Sequence, residues 1–70
     1  MAIDINDHFG RKVKDTRREL GLSQLELAEV SKVDLSTINR LERGEANITL
    51  RNAFKISKAL KIPLSDLLKV

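Results

Sequence analysis

Side chains able to make or break bonds are few in this chain, and their spacing does not suit the work. His8 is the lone histidine and cysteine is absent, so neither a Cys-based zinc site nor a paired-histidine metal site can be assembled. No serine–histidine–acid set, glycine-rich phosphate loop or pair of catalytic carboxylates stands out. His8 reads as a surface or capping residue near a helix start, and Glu42 and Glu45 read as helix-end residues. A chain of 70 residues also rarely encloses a deep, water-excluding pocket. The expectation is no enzyme, no catalytic residue, no metal and no cofactor. What the chain does offer is hydrogen-bonding groups: Ser23 and Gln24, then Ser36, Thr37, Asn39, Arg40 and Arg43, with Asn47 beyond. Such groups can recognise a partner without transforming it.

Charge gives the partner a sign. The net charge is +3, but its distribution says more than its total. Residues 11–18 carry Arg11, Lys12, Lys14, Arg17 and Arg18 against Asp15 alone, and residues 51–61 carry Arg51, Lys55, Lys58 and Lys61 with no acid. Asp4, Asp7, Glu19, Glu26 and Glu29 gather at the start and between the two basic stretches. Basic edges flanking a reading surface are the footprint a polyanion requires, although solvated helix faces carry such stretches as well. Phe9 and Phe54 are the only aromatic residues, and their spacing places them in a core. That argues against recognition of single strands or RNA by base stacking. With 41% hydrophobic and 33% charged residues, the chain reads as one globular domain over residues 1–70. No apolar run approaches the roughly 20 residues of a bilayer span, and the N-terminus lacks a basic n-region and apolar h-region. A cytoplasmic binding module is expected, with no membrane partner.

The elements that must position these groups are helices. Ile5, Phe9, Val13, Thr16 and Leu20 follow helical spacing, which predicts a first helix over about 5–20, closed by Gly21. Ser23 and Glu26 form a capping box, with Leu22 and Leu27 as its hydrophobic staple, so a second helix runs from 24 to about 31. Asp34 is the next N-cap, opening a short helix from Leu35 to Arg43 that Gly44 ends. Thr49 caps a fourth helix with Leu50, Ala53, Phe54, Ile56 and Leu60 inward, and Pro63 fits the first turn of a fifth. Alternating runs are absent, so the fold is all-α with five helices.

Only Lys32, Val33 and Asp34 separate the second and third helices. Two short helices so joined form a helix-turn-helix, whose second helix enters the DNA major groove. Ala28 gives the third helix room to cross closely, and Val33 and Ile38 plug the gap. The segment Ser23-Gln24-Leu25-Glu26-Leu27-Ala28-Glu29, followed by Val33-Asp34-Leu35-Ser36-Thr37-Ile38-Asn39-Arg40-Leu41-Glu42-Arg43-Gly44, resembles the phage-repressor and Cro-like helix-turn-helix family of XRE type. The likeness covers about residues 8–68 and implies the five-helix, lambda-repressor-like DNA-binding domain, with its motif at about 23–43. The Asn47-Ile48-Thr49-Leu50 stretch looks most like controller proteins of restriction–modification systems.

This resemblance assigns roles by position. Gln24 matches a phosphate-binding glutamine, and the Ser23 hydroxyl can add to it. On the third helix Leu35, Ser36, Asn39 and Arg40 share a face opposite Ile38 and Leu41, which should look into the major groove. There Arg40 can pair with guanine O6 and N7, and Asn39 with adenine N6 and N7. Thr37, Arg43 and Asn47 are placed for phosphate. Arg17 and Glu42 match an internal ion pair that ties the first helix to the end of the third. Lys32 stands where glycine is common, so a left-handed residue there would cost about 1–2 kcal/mol. Leu35 replaces a polar reader and can contact a thymine methyl. Leu25 and Val30 replace polar residues, either as harmless exposures or as part of a contact surface.

One such domain binds DNA only weakly, so a homodimer on a two-fold operator is expected, with recognition helices about 34 Å apart. Leu64, Leu67, Leu68 and Val70 supply its interface, with Phe54 beneath; alternatively they cap the core of the first and fourth helices. With no separate effector domain, no small-molecule ligand is expected. The rival to a sequence-specific transcriptional regulator is an antitoxin or adaptor that uses the same scaffold, through Leu25, Val30 and the C-terminal leucines, to hold a protein.

Overall fold

The computed structural model describes residues 4–45 and 47–69, and among them it contains five helices and no strand. They are α1 (Ile5–Glu19), α2 (Gln24–Ser31), α3 (Leu35–Glu42), α4 (Leu50–Leu60) and α5 (Leu64–Leu68). Each boundary has a local cause. The Asp4 carboxylate accepts hydrogen bonds from the amides of Asn6 and Asp7 and opens α1. The capping box of α2 forms completely: the Ser23 hydroxyl accepts from the Glu26 amide at 3.0 Å, and the Glu26 carboxylate accepts from the Ser23 amide at 2.8 Å. The bond from the Ser23 amide, with the Ser23 hydroxyl adding to it, holds the Glu26 carboxyl below the ordinary glutamate value. Thr49 Oγ1 accepts from the Asn52 amide and opens α4. Gly21 and Gly44 follow α1 and α3 with φ of 73°, a conformation that costs glycine nothing.

Two expected caps differ from the structure. Asp34 occupies the N-cap of α3 but makes no side-chain cap bond; only its carbonyl joins the helix, accepting from the Ile38 amide. Pro63 is the N-cap of α5 and not a first-turn residue, since its carbonyl already accepts from the amides of Asp66 and Leu67. Lys32 at the end of α2 is left-handed with φ of 62°, and Lys61 repeats this after α4 with φ of 59°. Both lysines adopt a conformation that disfavours a Cβ.

The core draws on every helix: Phe9 and Val13 from α1, Leu27 and Ala28 from α2, Ile38 and Leu41 from α3, Ala53, Ile56 and Leu60 from α4, and Leu67 from α5. Val33 in the α2–α3 turn is buried beside them, so the plug expected from Val33 and Ile38 is present. Two α4 residues expected inward are not there: Leu50 is 74% and Phe54 54% exposed. A helix turns about 100° per residue, so the buried positions Ala53, Ile56, Ser57 and Leu60 define a stripe that leaves Phe54 well off to one side. Ser57 takes the inward place, its hydroxyl donating to the Phe54 carbonyl at 2.7 Å. Ile5 and Leu20, at the two ends of the expected α1 stripe, are also about half exposed.

Gly10 sets how closely α1 approaches α3. A Cβ at this position would overlap the carbonyl oxygen of Leu41. The backbones therefore come nearer than any side chain would permit, and the end of α3 is seated on the middle of α1.

Candidate nucleic-acid interface

The face of α3 that points away from the core is built from Leu35, Ser36, Asn39 and Arg40. Ser36 and Arg40 are exposed, Leu35 is 44% exposed, and Asn39 is half-buried. Ile38 and Leu41, fully buried on the opposite side, fix the rotation of the helix. Among the described residues no hydrogen bond or ion pair engages the exposed side chains of Ser36 or Arg40.

Beneath this face lies a continuous polar network. The Arg17 guanidinium donates to both carboxylate oxygens of Glu42, Nε to Oε2 at 2.8 Å and an η nitrogen to Oε1 at 2.9 Å. Its other η nitrogen donates to the Leu22 carbonyl at 2.8 Å. The pair is buried, the Glu42 side chain being 2% exposed. Burial pushes the Glu42 carboxyl up, but hydrogen bonds from Arg17 and Gln24 and the charges of Arg17 and Lys14 outweigh it, so the group titrates below the ordinary glutamate value. The bond to Glu42 likewise raises Arg17 above its usual range despite burial. Arg17 thus joins α1, the α1–α2 connection and α3 at one point.

Glu42 also accepts from Gln24 Nε2 at 3.0 Å, and Gln24 Oε1 accepts from Asn39 Nδ2 at 3.2 Å. Gln24 therefore bonds to two α3 residues and bridges the first turn of α2 to the exposed face. The remaining residues matched to phosphate roles have separate surroundings. Ser23 is exposed, with its hydroxyl oxygen in the capping box. Thr37 is half-buried on α3. Arg43 pairs with Glu45 at 3.1 Å in an exposed ion pair. Asn47 Oδ1 accepts from Asn6 Nδ2 at 3.1 Å, so the loop after α3 is tied to the start of α1.

Leu64, Leu67 and Leu68 are not brought together as one free surface. Leu67 is 1% exposed and belongs to the core, because α5 packs against both α1 and α4; Leu64 and Leu68 are half-buried at its edge. Val70 lies outside the described residues. The exposed apolar residues at this end of the molecule are instead Ile5, Leu50 and Phe54. Ile5, Leu50 and Leu68 share the walls of one small cavity of about 200 Å³.

Two contributors are not singled out by the sequence reading. Gly10 seats α3 on α1, and a lone glycine inside an amphipathic helix is the signal that marks it. Asn6 holds Asn47 across 41 positions of sequence, and no local pattern reveals such a contact. No helix among the described residues is long and apolar enough to cross a membrane.

Comparison with known proteins agrees with this geometry. A family model described as helix-turn-helix matches residues 13–67. The control protein C.BamHI of Bacillus amyloliquefaciens is 41% identical over 69 residues, which are 97% of this chain and 85% of the relative. A Methanococcus vannielii relative is 44% identical over 55 residues, 79% of this chain, but the chain spans only 17% of that relative's length. Among solved structures, the restriction–modification controller protein C.AhdI from Aeromonas hydrophila superposes with a TM-score of 0.85 at 37% identity, over 89% of this chain and 94% of that one. With five helices, the α2–turn–α3 unit and a family match over most of its length, the chain belongs to the XRE-type helix-turn-helix family of DNA-binding transcriptional regulators.

Proposed function

We propose that the chain acts as a homodimer on a two-fold DNA operator, with α3 of each protomer in the major groove. In this reading Leu35, Ser36, Asn39 and Arg40 face base edges, while Ser23, Gln24, Thr37, Arg43 and Asn47 line the phosphate backbone. The observation that carries it is the α3 face: Arg40 and Ser36 stand exposed and unengaged among the described residues, on a helix rotationally fixed by Ile38 and Leu41. Similarity to C.BamHI and C.AhdI over nearly the whole of each supports a controller-type regulator. The protein works in the cytoplasm with no cofactor or small-molecule ligand, and its occupancy is governed by concentration. The two-fold surface is centred on Leu50 and Phe54, with Ile5 and Leu68 at its edge, in place of the α5 leucines alone. Support comes from the exposure of Ile5, Leu50 and Phe54 and from the cavity that Ile5, Leu50 and Leu68 share.

Binding to a duplex of the gene's own upstream region tests this, with a scrambled duplex as control, at about 50 and 200 mM salt. The expected result is a preference for the native duplex by orders of magnitude. In Ser36→Ala/Arg40→Ala that preference is lost while weak, salt-sensitive binding persists. Equal affinity for every duplex, unchanged by the double substitution, would overturn operator binding at that site. The second reading, a protein partner, would then take over. It is favoured by Val30, 59% exposed, which together with Leu20, Leu22, Ala59 and Ile62 lines an open groove of about 550 Å³.

A further inference from the structure

We infer that Gln24 is a positioning residue for base recognition, because it decides which atoms of Asn39 face the DNA. The inference rests on α3 being the reading helix and deepens that proposal. The argument is one of donors and acceptors. Glu42 is held ionised by Arg17, and an ionised carboxylate only accepts. Gln24 must therefore turn its amide nitrogen toward Glu42, as it does at 3.0 Å. Its oxygen is then obliged to face Asn39, which must answer with its own nitrogen, as it does at 3.2 Å. A side-chain amide could ordinarily be turned over at little cost. Here a reversed Asn39 would set two oxygens against each other.

The direction imposed at the buried ion pair thus passes through Gln24 and emerges at the surface. Asn39 is left with a free oxygen and one free N–H. That acceptor–donor pair matches the N6 amine and N7 of adenine, and it is mismatched to guanine, which presents two acceptors there. Without Gln24 the amide would be free to turn and offer both N–H groups to guanine or to thymine O4. A glutamine whose carbonyl and amide are both engaged inside the protein is also poorly placed to act as a phosphate ligand alone. Its remaining N–H is the one group it has left to donate.

The test is selection of duplexes from a random double-stranded pool by the full-length protein, by Gln24→Met, by Asn39→Ala and by the double variant. Methionine keeps the shape of glutamine and removes both hydrogen-bonding groups. Thermal unfolding followed by circular dichroism verifies that each variant is folded. The unmodified protein should enrich a two-fold sequence in which one base pair per half-site is adenine-specific by about 5- to 150-fold. Gln24→Met should cut that preference to about twofold or less and leave strictness at the other positions intact. Asn39→Ala should relax the same base pair, and adding Gln24→Met to it should relax that pair no further. If Gln24→Met binds every selected duplex uniformly more weakly with all preferences kept, Gln24 serves only as a phosphate ligand and the inference is wrong. If Asn39→Ala relaxes a different pair, it is wrong as well. If the unmodified protein enriches no sequence at all, the operator reading itself falls, and this inference with it.

Discussion

At the scale of single residues, the buried pair of Arg17 and Glu42 ties α1 to the end of α3. Removing one partner strands the other charge away from water, so Arg17→Ala or Glu42→Ala should each cost about 3–5 kcal/mol in urea unfolding. Arg17→Met/Glu42→Leu, which removes both charges and keeps the volume, should recover much of that loss. The pair also sets a pH dependence. Glu42 titrates below the ordinary value in the folded chain, so its contribution is fully present above the unfolded glutamate pKa of about 4.3. It is lost as pH falls through the lower, folded value. Unfolding free energy measured from pH 7 downward should therefore hold until about pH 5 and decline below it. The decline should be shallower in Glu42→Gln, with the remainder set by capped carboxylates such as Glu26. The identities in this site were legible from the sequence, since Arg17, Glu42, Gln24 and Asn39 all stand out by type and position. Their hand-off of hydrogen bonds was not. It depends on which atom of each amide faces which neighbour, and spacing along the chain does not encode that.

At the scale of elements, most helix ends could be read because their signals are local. The Ser23–Glu26 capping box, Thr49 and the two closing glycines each act within a turn of helix, so a few consecutive residues contain the whole interaction. The inward face of α4 was misread for the opposite reason. Leu50 and Phe54 fit a helical stripe as well as Ala53, Ile56 and Leu60 do, and only packing against α2, α5 and α1 decides between them. Gly10 is the sharpest case of tertiary override. Alanine favours a helix interior over glycine by about 1 kcal/mol, so intrinsic propensity predicts that Gly10→Ala stabilises α1. The overlap of its Cβ with the Leu41 carbonyl oxygen predicts the reverse, because backbone cannot move aside as a flexible side chain can. We expect Gly10→Ala to lower the thermal midpoint. We also expect it to weaken DNA binding beyond what its stability loss explains, because α3 would be lifted from its seat. A raised midpoint with unchanged binding would show that the two helices can separate at no cost.

For the whole molecule, the proposed two-fold pairing would answer how one short helix achieves selectivity. A single domain contacts few phosphates and one groove segment, whereas two domains on one duplex double both kinds of contact without new side chains. The exposed Leu50 and Phe54 lie on α4, away from the fully buried stripe of that helix. An interface there would cover apolar surface while leaving α3 free. The Lys58 ammonium lies 5.5 Å from the Phe54 ring, at the border of this surface. Replacing both apolar residues, Leu50→Lys/Phe54→Lys, should leave the fold intact, since neither side chain is in the core. Sedimentation equilibrium should then report a monomer at concentrations where the unmodified chain is dimeric. The consequence for DNA follows from counterion release. The slope of log K on log salt is about −0.9 per phosphate neutralised on duplex DNA, and a monomer reaches only one half-site. The slope for the double variant should therefore fall to about half that of the unmodified protein. Selectivity should fall much further, because it multiplies across half-sites while the electrostatic slope only adds. A variant that is monomeric yet keeps the full slope would mean that one protomer already spans the site, and the two-fold operator would have to be abandoned.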